Sequence, residues 1–596
     1  MPKQTRLTRR EFLTLAGASL GGAMLACGKS TPNLTESVEI PPSQPVPTTS
    51  VPTEVTALPP AAETPSPPPE RAADTVLFNG RIMTMDSAHA VVQAIAICGD
   101  KILMTGSNET VQSIAAPSAK KIDLNGRVVT PGFIDPHLHF RALGLQNVYY
   151  IPFLPPEVKD IATLQQALAE VIRGKQSGEW IMGYYLGLSD EPIFTKEDLD
   201  PVSKSNPVFI MHIGGHWGTA NSAALQIAKI SNSTPNPPGG IIEKRDGEPT
   251  GVLYNHRAMD LLRVYAPPIS ADLVRQAILN TQTIMAACGV TSFHDNNIRE
   301  VEHIQAYQEL SREGSLLLRN DLYLTLEWPA DLDKVSQVQP MDDGVTRFAG
   351  YKFLIDGQGP TAYCHQPHNG IEYRLPTWDP QMFKDIILRL HETGLQICVH
   401  CIGDAATDLT LDAYEAAMNA HPRSDPRHRI EHAILTTPQA TQRMRDLGIV
   451  ISTQPAFIYL FGEGWESIFG TERMDRIMVT REWLDAGIHV AIGSDAPSMP
   501  AYNPQATLAS SMSRHTYKKN AIGPDQTLTF EEALWAHTYQ GAYAAHQEHL
   551  KGSLEAGKLA DLVVWPNDPA QLPLSELALL TTVDMTMVGG KIVYQR

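Results

Sequence analysis

At 596 residues the chain is longer than one hydrophobic core serves, so at least two structural units are expected. Hydrophobic residues make up 43% and charged residues 19%, which excludes a disordered or coiled-coil chain. A formal net charge of -18 argues against nucleic acid as a partner, because phosphates need basic patches, and six cysteines are too few for a disulfide framework.

The first 26 residues, MPKQTRLTRREFLTLAGASLGGAMLA, place Arg9 and Arg10 before a short, glycine-containing apolar run. The order of charged, apolar and small residues resembles a twin-arginine export signal, and the run is too short to read as a spanning helix. Cys27 follows Met24-Leu25-Ala26 in a setting that resembles a lipoprotein cleavage site, with methionine where leucine is usual. The expectation is export by the twin-arginine route and attachment to the cell envelope through a lipid on Cys27; ordinary cleavage near Ala26 is the alternative. Residues 27–73, rich in Pro, Ser and Thr, cannot bury enough apolar surface to fold. They read as a disordered spacer, and about forty residues of polyproline II would reach roughly 120 Å.

From residue 74 to 130 the text changes to short β-rich runs, TVLFNGRIMTMD, VVQAIAICGDKILMTGS and KIDLNGRVVTPGFID. Their Asn-Gly and Gly-Asp breaks predict hairpins. Residues 551–596 repeat the style in GSLEAGKLADLVVWPND and VDMTMVGGKIVYQR. Neither end has enough strands for a core of its own, so together they are expected to form one small β-sandwich.

Between them, residues 131–550 alternate short apolar runs with helical stretches: PVFIMHI, GVTSFHD, FAGYKFLIDG, LQICVHCIGD, RHRIEHA, IVISTQP and IHVAIGSDAP among the runs. Such alternation predicts a parallel sheet wound with helices, and a count near eight favours a closed (β/α)8 barrel. In that architecture, polar residues at the carboxyl ends of strands form the active site. PGFIDPHLHF sets His137 and His139 two residues apart, on one face of an extended strand. Lys352, His400, His432 and Asp495 each fall at the end of a later run. Six such groups at one end of five strands would be costly without a partner, and a cation with nitrogen and oxygen ligands resolves the cost.

The ordered set His-x-His, Lys, His, His, Asp resembles the amidohydrolase superfamily. The phrases WIMGYYLG, GEPTGVLY, GVTSFHD, KFLIDG, VHCIGDAA, RIEHA, IGSDAP, NPQATL and GKLADLVVW narrow the likeness to the amidohydrolase family 3 branch, which includes N-substituted formamide deformylase. The likeness runs over about residues 75 to 596. It implies a TIM-type (β/α)8 metal-dependent hydrolase barrel with a composite β-sandwich built from both ends. It also implies metal ligands at His137, His139, Lys352, His400, His432 and Asp495, with Lys352 carboxylated on its amine in many members. Cys401 stands where relatives often carry alanine.

The expected chemistry is hydrolysis of a carbon–nitrogen bond, amide-like and non-peptide, in a small molecule. Zinc, one or two ions, suits these ligands, with iron or manganese as competitors. A bound Zn²⁺ brings the pKa of its water to roughly 7, and Asp495 is expected to serve as general base and then acid. His216, His294, Asp295 and His365 are candidates for substrate contact, with His368 beside the last. Cys398 and Cys401 form a C-x-x-C around His400 and read as core thiols. The Thr-x-x-Glu of LTFEEAL reads as a helix cap. The same metal set could serve a deaminase, a lactonase or an isomerase, and a catalytically dead, lipid-anchored solute-binding protein is the rival of another class. Oligomeric state has no signal in the sequence.

Overall fold

The structure, a computed structural model, describes residues 72–186, 193–366, 376–499 and 502–596. The expectations for the export signal, Cys27 and residues 27–71 of the spacer lie outside the described residues, as does His368. No helix among the described residues is long and apolar enough to cross a membrane.

Eight parallel strands form the central sheet: Phe133–Leu138, Val290–Ile298, Arg319–Leu326, Thr346–Leu354, Gln396–Cys401, Arg429–His432, Val450–Thr453 and Val490–Ile492, side by side in chain order. They are numbered first to eighth here. Nearly every residue along them is buried, as expected of strands covered on both faces. The first and eighth strands meet at one end of the sheet through two backbone hydrogen bonds, Asp495 N–H to His137 O at 2.8 Å and His139 N–H to Ala496 O at 2.7 Å. The sheet is therefore a nearly closed barrel, as expected.

Helices return the chain between strands, and their starts are written in the sequence. Ser270, Asp379 and Thr437 each accept a hydrogen bond from the third residue of the helix that follows, and Pro380 and Pro438 occupy the first helical position. Thr529 and Glu532 form the expected capping box.

The fold reassigns one of the apolar runs and adds a barrel strand that no apolar run marked. PVFIMHI supplies Val208–His212, which belongs to a separate six-stranded sheet inserted between the first and second barrel strands. The third barrel strand is instead RNDLYLTL. Its opening residues are charged because they are paired within the fold: Arg319 Nε lies 3.0 Å from Asp561, and Asp321 lies 2.5 Å from Arg347 Nε. A strand that begins in ion pairs shows no continuous apolar run.

The two ends of the chain share sheets. Leu562–Val564 pairs antiparallel with Val128–Pro131 in a six-stranded sheet that also holds Met585–Val588, Lys591–Gln595, Arg81–Met83 and Val91–Val92. A four-stranded sheet holds Ala73–Phe78, Ala94–Cys98, Lys101–Gly106 and Ala115–Asp123. Leu77, Ile95, Ile97, Leu562, Val564 and Met587 pack together in one core. On the barrel side, Trp565 is buried against Phe133, ring centroids 5.7 Å apart, and its indole N–H donates to Thr130 Oγ1 at 3.0 Å.

Only one of the three predicted N-terminal hairpins forms. Gly99-Asp100 turns Ala94–Cys98 into Lys101–Gly106. At both Asn-Gly pairs the chain crosses from one sheet to the other instead. The physical demand is the same in each case, a left-handed backbone, with φ of 58° at Asn79 and 50° at Asn125.

Candidate metal centre

The six candidate ligands arrive at the mouth where the barrel closes. His137 is the fifth residue of the first strand, and His139 follows its end at the start of helix Phe140–Val148. Lys352 and His400 lie near the ends of the fourth and fifth strands, and His432 ends the sixth. Asp495 stands three residues past the eighth. His432 and Asp495 have φ of 70° and 53°, a conformation that L-residues with a Cβ seldom adopt. The surrounding bonds hold them there, as is common at functional sites.

Local sequence explains the closeness. Gly493 of IGSDAP lies so near the first strand that a Cβ would meet Asp135 Oδ1 at 2.7 Å and His137 N at 2.9 Å. Asp135 ties the two strands together, accepting from the Ser494 hydroxyl at 2.6 Å and from His137 N–H at 3.1 Å. Burial pushes its carboxyl up to about 6.

Asp495 Oδ1 lies 2.8 Å from His139 Nε2 and 3.3 Å from His137 Nε2. Ligand atoms of His137, His432 and Asp495 all fall within 4.8 Å of one another. The His432 ring is 4.7 Å from that of His137 and 4.5 Å from that of His400. Lys352 is buried and faces the same cavity. His137 Nε2, His400 Nε2 and Asp495 Oδ1 are buried with no aligned hydrogen-bond partner. Buried polar atoms that crowd together without bonding one another are what ligands to a shared cation look like, so these residues fit a metal ion.

The surroundings set each group's state. Burial pulls His400 and His432 well below the ordinary imidazole range, which leaves neutral rings with a lone pair to give. Burial also works against the Asp495 carboxylate, but the adjacent His139 and His137 rings outweigh it and hold the group well below its usual range. For Lys352, burial lowers the amine's pKa against the pull of Glu431 and Asp495.

A second layer of side chains aims the first. His137 Nδ1 bonds the Glu431 carboxylate, which leaves Nε2 as the lone-pair nitrogen. His432 Nδ1 lies 2.6 Å from Gln454 Oε1, with the same effect. Glu431 is fully buried and paired with Arg429, Nε to Oε1 at 2.7 Å. No apolar run singles out Glu431. The signal was the alternation in RHRIEHA, which puts Arg429 and Glu431 on one face of a strand as an opposite-charge pair.

A cavity of about 770 Å³ opens over this floor. His216 lines it, its ring 5.1 Å from His400, and burial pulls that imidazole down to about 4. The other three substrate candidates are placed elsewhere. His294 sits inside the barrel, 3.0 Å from Arg429 and 3.5 Å from Asp321. Asp295 accepts from the Tyr307 hydroxyl at 2.8 Å and from Arg141 N–H at 3.2 Å, anchoring the helix after His139. His365 faces solvent and pairs with Asp408 at 2.8 Å. Cys398 and Cys401 are buried free thiols, and burial raises both above the ordinary thiol range, which disfavours the reactive thiolate.

A sequence model of the amidohydrolase family matches residues 120–594. The chain is similar to the N-substituted formamide deformylase of Arthrobacter pascens, 29% identical over 548 residues, covering 88% of this chain and 98% of that one. It is 30% identical over 560 residues to Protein LONG AFTER FAR-RED 3 of Arabidopsis thaliana, covering 89% of this chain and 93% of that one. Among solved structures, an uncharacterized metal-dependent hydrolase from Pyrococcus furiosus superposes with a TM-score of 0.65 at 26% identity, covering 83% of this chain and 100% of that one.

Replacing Glu431 with Gln keeps the shape of the side chain but removes the charge that holds His137. Cation affinity should fall about 10- to 100-fold in competition with a chromophoric chelator. Stability to urea should fall by about 3–5 kcal/mol, because Arg429 is left buried without its carboxylate. Unchanged affinity would reduce Glu431 to a packing residue.

Proposed function

The chain belongs to the amidohydrolase family and is a hydrolase of carbon–nitrogen bonds other than peptide bonds; on that premise we propose that it removes a small acyl group from a substituted nitrogen at the cavity floor. The observation that carries this reading is the meeting of His137, His139, Lys352, His400, His432 and Asp495 from five strands at one mouth of the barrel. The deformylase named above supports the choice of acyl group, since its name specifies N-substituted formamides.

His137, His139, His400, His432 and Asp495 would hold zinc, one ion or two, and Lys352 would join them as a ligand if carboxylated on its amine. Such an ion, when bound, polarises a carbonyl oxygen and acidifies water to near neutrality. The chain's own residues do the rest. Asp495, kept ionised by the imidazoles beside it, takes a proton from the attacking water. It then returns that proton to the departing nitrogen, which is a poor leaving group unless protonated. His216 is neutral at ordinary pH and can donate one N–H to the carbonyl oxygen without adding a charge. Lys352 joins the site only when its amine is uncharged, and burial favours that state. The outer cavity wall, with Leu145, Ile230, Leu261 and Val264, suits an apolar substituent on the substrate.

We further propose, from residues 1–27 alone, that the protein is exported by the twin-arginine route and held at the cell envelope by a lipid on Cys27.

Two measurements test these readings. Asp495→Asn should keep metal, counted by elemental analysis, while turnover of N-substituted formamides drops by at least about 10²-fold; full activity in that variant would remove Asp495 from the mechanism. Cys27→Ser should move the protein from the membrane fraction to the soluble one, and an unchanged distribution would rule out lipid attachment at this residue.

A further inference from the structure

The second barrel strand, Val290–Ile298, turns alternate residues inward, so Ser292, His294 and Asn296 stand at successive levels of the interior. Each meets a polar partner there. Lys551 donates to Ser292 Oγ at 2.9 Å, and Asn296 donates to the Pro136 carbonyl at 3.2 Å near the mouth. His294, between them, is fully buried, and its Nδ1 lies 3.0 Å from Arg429 NH1.

Chemistry fixes the direction of that bond. A guanidinium can only donate, so Nδ1 accepts and a neutral ring carries its proton on Nε2. Nε2 faces Asp321 Oδ2 at 3.5 Å, and neither atom makes a hydrogen bond elsewhere among the described residues. Burial, helped by Arg429, outweighs the pull of Asp321 and holds the imidazole well below its ordinary range. His294 therefore gives Arg429 an acceptor that carries no charge.

Arg429 commits its own charge to Glu431. Its Nε lies 2.7 Å from Oε1, and NH2 donates to Oε2 at 3.0 Å. NH2 also donates to the Pro136 carbonyl at 2.6 Å, so NH1 is the corner of the guanidinium held by His294. A carboxylate in that place would compete with Glu431 for the same cation. An apolar side chain would leave a buried N–H without an acceptor. A planar guanidinium that turns to find another acceptor carries its pairing with Glu431 out of line, and Glu431 in turn bonds His137 Nδ1.

We propose that His294 is a positioning residue for the cation centre: through Arg429 and Glu431 it keeps the His137 ring aimed at the other candidate ligands. The role rests on the cation reading of the barrel mouth and extends it to a residue at one remove from Glu431.

The test measures the affinity of the full chain for zinc in competition with a chromophoric chelator. His294→Leu should weaken zinc binding about 10-fold. His294→Asn sets an amide oxygen near the place of Nδ1 and should bring affinity back to within about 2-fold of wild type. In a Glu431→Gln background, His294→Leu should change affinity by no more than about 2-fold, because the route to His137 is already cut. If the Leu variant does not fold, His294→Gln, whose longer side chain carries its amide toward Asp321, replaces it with the same expectations. Wild-type affinity in the variant that lacks the acceptor, or a full second loss in the Glu431→Gln background, overturns the role and leaves the cation centre standing. Wild-type protein that binds no zinc overturns the centre itself, and this role with it.

Discussion

Everything at the mouth of the barrel depends on how the first strand meets the eighth. Two backbone hydrogen bonds, from Asp495 to His137 and from His139 to Ala496, close the ring at the residues that carry candidate ligands. The closure is tight because Gly493 has no side chain and because Asp135 bridges to Ser494. It also forces Asp495 into a left-handed backbone, a cost of order 1–3 kcal/mol that the surrounding bonds must offset. A residue held so firmly is well suited to a task that requires a fixed distance, such as moving a proton between water and a nitrogen.

Charge in the barrel is arranged in layers. At the mouth lie neutral imidazoles and one ionised carboxylate. Below them Glu431 and Arg429 form a fully buried pair, and lower still Asp321 is paired with Arg347. Buried pairs of this kind add little net stability over apolar packing, whereas breaking one costs several kcal/mol. Their value here is orientation: Glu431 and Gln454 each occupy one nitrogen of a histidine and so decide which nitrogen faces the centre. The barrel's polar interior thus serves the site more than it serves the fold.

The parts of this design that follow local rules were legible in the sequence. His-x-His at the end of a strand, the glycine before Ser494, and the capped helix starts each reflect a constraint that acts within a few residues. What was not legible depends on distant partners. The third barrel strand opens with Arg319, Asn320 and Asp321, and reads as a strand only once Asp561 and Arg347 are known to neutralise two of them. Asn79 and Asn125 met the backbone demand of a tight turn, but whether such a turn joins neighbours or crosses between sheets is settled by the rest of the sandwich. His294 and Asp295 shared the strand-end position of true mouth residues, yet one faces the barrel interior and the other anchors a helix.

The mouth of the barrel would hold one cation-binding centre of imidazole and oxygen ligands, with the neighbouring cysteines excluded. X-ray absorption spectroscopy on the zinc-loaded protein tests this most directly. The expected spectrum shows a nitrogen and oxygen shell near 2.0–2.2 Å with the outer scattering of several imidazoles and no sulfur. A zinc–sulfur distance near 2.3 Å, or failure to retain zinc at all, would contradict it.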